Sequence, residues 1–329
     1  MDRINLVVVG YGMGAWHCDR VKAVPEVNLY GVCDIEAAKR EKAAKDRGAI
    51  KLYATMDEVW ADKNADLVVL ALPHSMHESA CVAAAKAKKH IIMEKPFCMT
   101  VKEADSMIQA AKRNKVMLTI SHNRRWDLDY LMVKQQVDAG LLGLPFVIES
   151  RVHGYGGPRG WRQFRKFGGS ILYDWGAHMV DQILQIRKYP KIESVYGDFQ
   201  YRIWNSEVEN NARATIRFAD KTIALVEISQ TAQIRAPRWF VMGDKGTLIQ
   251  EAQHSFTPNG IKVKTKIAGL TVDLTPEPLK SDVTDFYRNV VAHLKTGAAL
   301  LVKPEEARVS TSILEAAVKS AKTGNVVRL

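Results

Sequence analysis

No apolar run in this 329-residue sequence approaches the roughly 18 residues that a helix needs to span a bilayer. The N-terminus, "MDRINLVVVG", enters a short strand-like run at once and lacks a signal peptide's longer apolar core and small-residue cleavage site. These absences give the expectation of a cytoplasmic protein with no membrane partner. Cysteine is scarce: Cys18, Cys33, Cys81 and Cys98 are the whole set, with no C-x-x-C and no Cys/His grouping at zinc-finger spacing. Four unclustered thiols suit a reducing compartment and a role as small buried side chains, and no metal site is expected. Internal repeats, low-complexity tracts and an obvious flexible linker are missing as well.

Segregated charge is also largely missing. The formal charge is +11, but most bases are interleaved with acids, as in "EAAKREKAAKDR" at residues 36–47, which reads as an exposed helix face with i,i+4 pairs. With no helix-turn-helix or RNA-binding pattern, nucleic acid is not an expected partner. One stretch departs from the rule: from Ser150 to Tyr173 there is no acid at all, and there are five Arg or Lys residues.

What is present is a globular composition, 47% hydrophobic and 25% charged, in a chain of a length suited to two domains. The first 120 residues alternate short apolar runs with amphipathic stretches. The runs are "INLVVVG", "NLYGVCD", a weaker "IKLYA", "ADLVVLALP", "HIIMEKP" and "VMLTIS", with helices expected near 14–24, 36–47, 55–61, 76–87 and 100–113. Strands apolar on both faces and separated by helices predict a doubly wound α/β domain on a parallel sheet, residues 1–122. From residue 123 the pattern changes. A helix near 127–139 precedes the strand "PFVIESRVHGY", and another helix is expected near 173–187. Residues 191–275 then alternate apolar and polar in runs such as "ARATIRF", "TIALVEISQ" and "GTLIQEA", and helices near 281–296 and 304–322 close the chain. This predicts an α+β second domain over 123–329 with an open, mostly antiparallel or mixed sheet.

Three features carry chemistry. The first is "LVVVGYGMGAWH", in which Gly10, Gly12 and Gly14 join a strand to a helix. Such a turn lets the backbone approach a pyrophosphate at the helix N-terminus. Gly10, Gly12 and Ala15 satisfy G-x-G-x-x-A without a deletion; alternatively Gly14 is the third glycine and the turn is one residue short. Asp34 ends the second strand, 24 residues after Gly10, where a carboxylate accepts from the ribose hydroxyls of NAD and repels the 2′-phosphate of NADP. The second feature is the pair of strand ends "LPHSMH" and "MEKP", which place Leu72, Pro73, His77, Glu94 and Lys95 at the carboxyl edge of the sheet, where ligands bind. There Lys95 can donate to a substrate hydroxyl or take part in proton transfer, whereas His77 at a helix start suits capping or packing. The third is "KFGGSILYDWGAHMVDQ": on a helix Asp174 and His178 are i and i+4 and share a face. Asp181 lies near that face, and Gly168-Gly169 would let the backbone come close to a ligand.

In this order and spacing, the three features resemble the Gfo/Idh/MocA family of sugar and cyclitol oxidoreductases, over nearly the whole chain. "CDIEAAKRE", "MEKPFCMTVKEA" and the closing "FYRNVVAHLKTGAALLVKPEEARVSTSILEAAVKSAKTG" share the likeness, and "NRRWDLDYLMVKQQVDAGLLG" is similar to a scyllo-inositol dehydrogenase-like subgroup. The resemblance implies an N-terminal Rossmann domain, a final helix that returns toward it, and a homodimer or homotetramer built on the C-terminal sheet. It implies a catalytic group of Lys95, Asp174 and His178. It also implies a cofactor-binding set of Gly10, Gly12, Met13, Gly14, Asp34, Leu72, Pro73, His74, His77, Glu94 and Lys95. Substrate contacts are implied at Lys95, Arg124, Tyr155, Trp161, Arg162, Asp174 and His178, with Arg159 and Arg165 nearby on the acid-free loop. The family's G-x-G-x-x-G-x-x-H turn matches His17 when Gly14 is the third glycine, and Leu72 stands where many members carry Thr.

The expected activity is hydride transfer between NAD, favoured over NADP, and a secondary hydroxyl of a carbohydrate, cyclitol or glycoside. The alternative is glycoside cleavage by transient oxidation and elimination, with NAD remaining bound. A non-catalytic NAD-binding protein is the third reading, and the complete Lys–Asp–His set argues against it.

Overall fold

The structure, a computed structural model, describes residues 3–251 and 259–329. It divides into two compact units, Met1–His122 with Asp282–Arg308 and Asn123–Ser281 with Val309–Leu329.

In the first unit, short runs rich in Val, Ile and Leu form β1 (Ile4–Val9), β2 (Val27–Cys33), β3 (Lys51–Tyr53), β4 (Leu67–Leu70), β5 (His90–Met93) and β6 (Leu118–Ile120). Between them lie α1 (Tyr11–Val21), α2 (Ala37–Arg47), α3 (Met56–Ala61), α4 (His77–Lys86) and α5 (Val101–Asn114). The six strands pair in parallel in the order β3-β2-β1-β4-β5-β6. The reversal of direction falls beside β1, where doubly wound folds bind their ligands. Val7–Val9, Leu67–Leu70 and Ile91–Met93 are buried on both faces, which is why these runs show no polar alternation. Local chemistry fixes the helix starts. The Thr55 hydroxyl accepts the Glu58 N–H at 3.3 Å, and Thr100 with Glu103 forms a reciprocal capping box. One start differs from expectation: α1 begins at Tyr11 rather than near residue 14 and takes in Gly12 and Gly14, poor helix formers that mask its first turn in the sequence.

The second unit opens with α6 (Leu128–Asp138), β7 (Pro145–His153) and α7 (Ala177–Arg187). The strands β8 (Ile192–Gln200), β9 (Asn211–Phe218), β10 (Ile223–Ser229), β11 (Trp239–Gly243), β12 (Gly246–Gln250), β13 (Ile261–Ile267) and β14 (Leu270–Leu274) follow. After α8 (Asp285–Thr296) come α9 (Pro304–Thr323) and β15 (Val327–Arg328). Among the described residues nine strands run in the order β14-β13-β12-β11-β7-β10-β9-β8-β15; β7 and β10 pair in parallel and the rest antiparallel. Ala212, Ala214, Ile216 and Phe218 of β9 are buried in strict alternation, the period-two signature of a sheet with one covered face. The end of the predicted run "GTLIQEA", at Ala252, lies outside the described residues.

Residues 282–308 correct the expected second domain of 123–329, because they group with the first unit. The Tyr287 hydroxyl lies 2.7 Å from His17 Nδ1, Thr119 Oγ1 donates to the Val302 carbonyl at 2.7 Å, and Arg308 pairs with Asp105. α9 therefore starts in the first unit and continues in the second. All four cysteines are buried, and burial pushes the Cys33 and Cys81 thiols up to about 12. No described helix is long and apolar enough to cross a membrane.

Candidate active site

The three glycines of the first turn each meet a different constraint. Gly10 has φ +92°, and a Cβ there would lie 2.2 Å from the Ala71 carbonyl oxygen. A Cβ on Gly14 would lie 2.4 Å from Val8 Cγ1, so this glycine lets α1 close onto β1. A Cβ on Gly12 would meet nothing within 4 Å: its missing side chain serves open space rather than packing. Tight turn, close backbone approach and helix–strand packing are the three roles of a dinucleotide-binding turn, in that order. The geometry thus gives the third role to Gly14, and the turn is the one-residue-short form. The first-turn N–H groups of Gly12 and Met13 have no i−4 carbonyl within the helix, so the cradle fits a pyrophosphate.

Asp34 closes this turn from the end of β2. Its Oδ2 accepts the Tyr11 N–H and its Oδ1 accepts the Glu36 N–H, each at 2.9 Å. Two further lone pairs remain for ribose hydroxyls. Ile35 beside it is 84% exposed and brings no cation, but Arg40 folds back to donate to the Asp34 and Ile35 carbonyls at 2.7 and 3.1 Å.

The ends of β4 and β5 come together below the next part of the edge. Leu72, Pro73 and Lys95 are half-buried, and His74 is buried with its ring 5.6 Å from that of His77. His77 is fully buried. Its Nδ1 faces the Pro96 and Phe97 carbonyls at 3.0 and 3.2 Å, and its Nε2 faces the Leu72 carbonyl at 3.1 Å. Burial pushes its pKa down. This residue ties the two strand ends together from a buried position, with both ring nitrogens facing main-chain carbonyls. Glu94 is also held by protein groups: Oε1 lies 2.8 Å from His17 Nε2, and Oε2 accepts the Lys95 N–H at 3.1 Å.

In the second unit, Asp174 does not sit in the first turn of an ordinary α-helix. Leu172–Gly176 form a π-helical turn that runs into α7, a wide turn found frequently at functional sites. Glu209 anchors its start, accepting from the Ser170 hydroxyl and, at 3.0 Å, from the Leu172 N–H. Asp174 Oδ2 is 3.4 Å from Arg162 Nε. His178 is buried, 4% exposed, with its ring 6.5 Å from that of Trp175. The Arg124 guanidinium covers the Trp175 ring at 4.7 Å and pairs with Asp127 at 2.8 Å. Burial outweighs that pairing and lifts the Asp127 carboxyl to about 6. Asp181 belongs to the framework, gripped by Arg125 at 2.8 and 2.6 Å.

A cleft of about 400 Å³ opens beside the π-helical turn, lined by Gly156, Gly157, Pro158, Arg159, Arg162, Ser170, Ile171, Asp174, Trp175 and Gln230. Of the expected substrate contacts on this unit, Arg162 and Asp174 line it. Tyr155 packs against Trp204, Trp161 lies under the Arg162 guanidinium, and Arg124 backs Trp175. Arg165 is committed elsewhere: its side chain donates to the Glu207 carbonyl and its N–H to the Glu207 carboxylate. Gly169 is small for a packing reason, since a Cβ there would lie 2.3 Å from the Arg162 carbonyl oxygen. Sequence reasoning missed Trp175 and Gln230. Trp175 was within reach, lying between Asp174 and His178 in the same motif; Gln230, at the end of β10, carries no local signal. No group of three or more His, Cys, Asp or Glu among the described residues is placed to hold a metal ion.

Residues 4–122 match the family model for the Gfo/Idh/MocA oxidoreductase family, NAD-binding Rossmann fold, and residues 130–249 match the Gfo/Idh/MocA C-terminal domain. The chain is 25% identical to the scyllo-inositol 2-dehydrogenase (NADP(+)) of Bacillus subtilis, covering 100% of this chain and 97% of the relative. It is 23% identical to the D-glucoside 3-dehydrogenase of Escherichia coli, covering 99% and 97%. Among solved structures it is similar to an NAD-binding protein from Listeria innocua, with a TM-score of 0.90, 32% identity and 99% and 97% of the two chains covered.

Proposed function

Because the chain belongs to the Gfo/Idh/MocA oxidoreductase family, we propose that it transfers hydride between NAD and a secondary hydroxyl of a carbohydrate, cyclitol or glycoside. The substrate class rests on the wall of the second unit's cleft, which includes Arg159, Arg162, Ser170, Asp174, Gln230 and Trp175. Hydrogen-bonding groups of both signs together with an aromatic side chain suit a ring that is hydroxylated at its rim and apolar on its flat side. The activities named for the inositol and glucoside dehydrogenase relatives support the same class.

The glycine turn, Asp34 and the strand ends at Leu72 and Glu94 would hold the dinucleotide. When bound, its nicotinamide supplies the hydride acceptor. In the oxidising direction His178 takes the hydroxyl proton and Asp174 orients the imidazole. Lys95 donates to the same oxygen and stabilises the developing alkoxide. NAD is favoured because the Asp34 carboxylate opposes a 2′-phosphate and Ile35 offers no compensating cation. Self-association through the second unit's sheet belongs to the same reading.

Lys95→Ala and His178→Ala should each lower turnover by about 100- to 10,000-fold, with Asp174→Asn milder, while NAD binding by calorimetry is largely kept. Near-normal turnover in either alanine variant removes that residue from the reaction.

A further inference from the structure

Two buried histidines grip the segment that carries Lys95. His77 holds its far side through the Pro96 and Phe97 carbonyls, as described above. On the near side three side chains stand in line. The Tyr287 hydroxyl is 2.7 Å from His17 Nδ1, His17 Nε2 is 2.8 Å from Glu94 Oε1, and Glu94 Oε2 accepts the Lys95 N–H at 3.1 Å. His17 is 0% exposed, Tyr287 1% and Glu94 8%. They come from α1, α8 and the end of β5.

The line has a direction. Burial alone would raise the Glu94 carboxyl, but the hydrogen bond from His17 and the nearby Lys95 charge act the other way, and it is held below the ordinary carboxylate range. A carboxylate only accepts, so His17 Nε2 carries a hydrogen. In the neutral ring Nδ1 is then a lone pair, and it takes the Tyr287 O–H. Burial holds the Tyr287 hydroxyl well above its usual value, so it keeps the proton it donates. The opposite tautomer would set the Nε2 lone pair against a carboxylate. An imidazolium would turn the Tyr287 hydroxyl into an acceptor and leave its proton without a partner among the described residues. One arrangement satisfies every group, in a setting where an unmet buried donor is costly.

We propose that Tyr287, His17 and Glu94 form a directional hydrogen-bond relay that holds the main chain at Lys95, and that Tyr287 and His17 are positioning residues for the reaction at Lys95. His17 lies on α1, the helix that opens with the glycine turn, so the relay joins the dinucleotide turn to the lysine segment through one imidazole. Tyr287 sits 270 residues from His17 in sequence, on the part of the chain that returns to the first unit. This inference rests on the assignment of Lys95 to the reaction.

Tyr287→Phe tests it, because the ring and its edge-to-face contacts with His17 and Phe286 are kept and only the donor is lost. The first readout is the His17 tautomer, from ¹⁵N shifts of histidine-labelled protein, with the signal identified by its loss in His17→Gln. The second is turnover of the fastest substrate in a polyol and inositol panel. The relay requires an Nε2–H tautomer in the native protein with a hydrogen-bonded Nδ1, and in Tyr287→Phe an Nδ1 signal moved to that of an unbonded lone pair. It also requires a kcat about 10- to 100-fold lower, as expected when a reacting group is displaced, with KM and NAD affinity within about threefold. A native His17 found as the Nδ1–H form or as imidazolium overturns the relay whether or not the variant folds. A Tyr287→Phe protein with unchanged kcat overturns the positioning role. Full turnover in Lys95→Ala overturns the assignment beneath it and leaves the tautomer result standing, so the two failures are told apart.

Discussion

The Asp34 carboxylate does two jobs that one substitution cannot separate and two can. It accepts the Tyr11 and Glu36 N–H groups, which shapes the glycine turn, and in the proposed cofactor site it sets a negative charge against a 2′-phosphate. Asp34→Asn removes the charge but keeps one acceptor oxygen, so only one of the two N–H anchors survives; it should narrow the preference for NAD over NADP with a smaller loss of NAD affinity than removal of the whole side-chain group. Asp34→Ala removes both anchors and should weaken NAD binding by about tenfold or more, since hydrogen bonds to charged groups contribute roughly 1.5–3 kcal/mol each. Calorimetric titration of both variants with both dinucleotides checks this. Tighter binding of NADP than NAD by the native protein would show that Arg40, poised at the Asp34 carbonyl, sets the preference instead. Residues of this kind were legible in the sequence because their signals are local: a strand end, a fixed spacing from a glycine, a dipeptide before proline. Gln230 in the cleft wall and the capture of Arg165 by Glu207 were not, because those partners meet only when distant strands and loops pack.

At the level of elements, β1, its glycine turn and α1 act as one device, and two of its glycines separate stability from binding. Gly10→Ala forces a side chain into φ +92° and against the Ala71 carbonyl, so it should destabilise the first unit by at least about 1–3 kcal/mol. Gly12→Ala meets nothing within 4 Å and replaces a poor helix former inside α1. Its melting temperature should be unchanged or higher while dinucleotide affinity falls. Thermal melts with and without NAD read both effects, and a Gly12→Ala protein with normal NAD affinity would remove the pyrophosphate from this turn. The alternation of apolar runs and helices made the parallel sheet readable in advance, down to the three-residue edge strand β3. The π-helical turn at Leu172–Gly176 was not readable, because a helical repeat in sequence does not distinguish a turn widened by one residue. That turn alters the i,i+4 geometry from which the Asp174–His178 pairing was argued.

For the whole molecule, the open sheet of the second unit carries the expectation of self-association. Strand register places Tyr196, Thr215, Leu225, Glu149, Phe240 and Ile249 side by side in one row across four antiparallel pairings and the parallel β7–β10 pair. Tyr196 in that row is 43% exposed. If this face joins subunits, Leu225→Asp should shift the mass measured by light scattering toward the monomer without loss of fold. A native protein that is already monomeric at micromolar concentration would refute the assembly. The return of residues 282–308 to the first unit has the complementary consequence that removing the C-terminal third would strip Tyr287 from His17 as well as shortening the second unit.

The central claim is net hydride transfer from a secondary hydroxyl, and one measurement bears on it most directly. Purified protein is incubated with NAD and a panel of inositols, polyols, aldoses and glycosides, with absorbance at the reduced nicotinamide band and product analysis read together. The account predicts that at least one substrate yields reduced cofactor and ketone in equal amounts, and that Lys95→Ala abolishes both. Release of free sugar from a glycoside without net reduced cofactor would contradict it in favour of cleavage by transient oxidation. Tight NAD binding with no turnover anywhere on the panel would contradict the assignment of an enzyme active site on this substrate class.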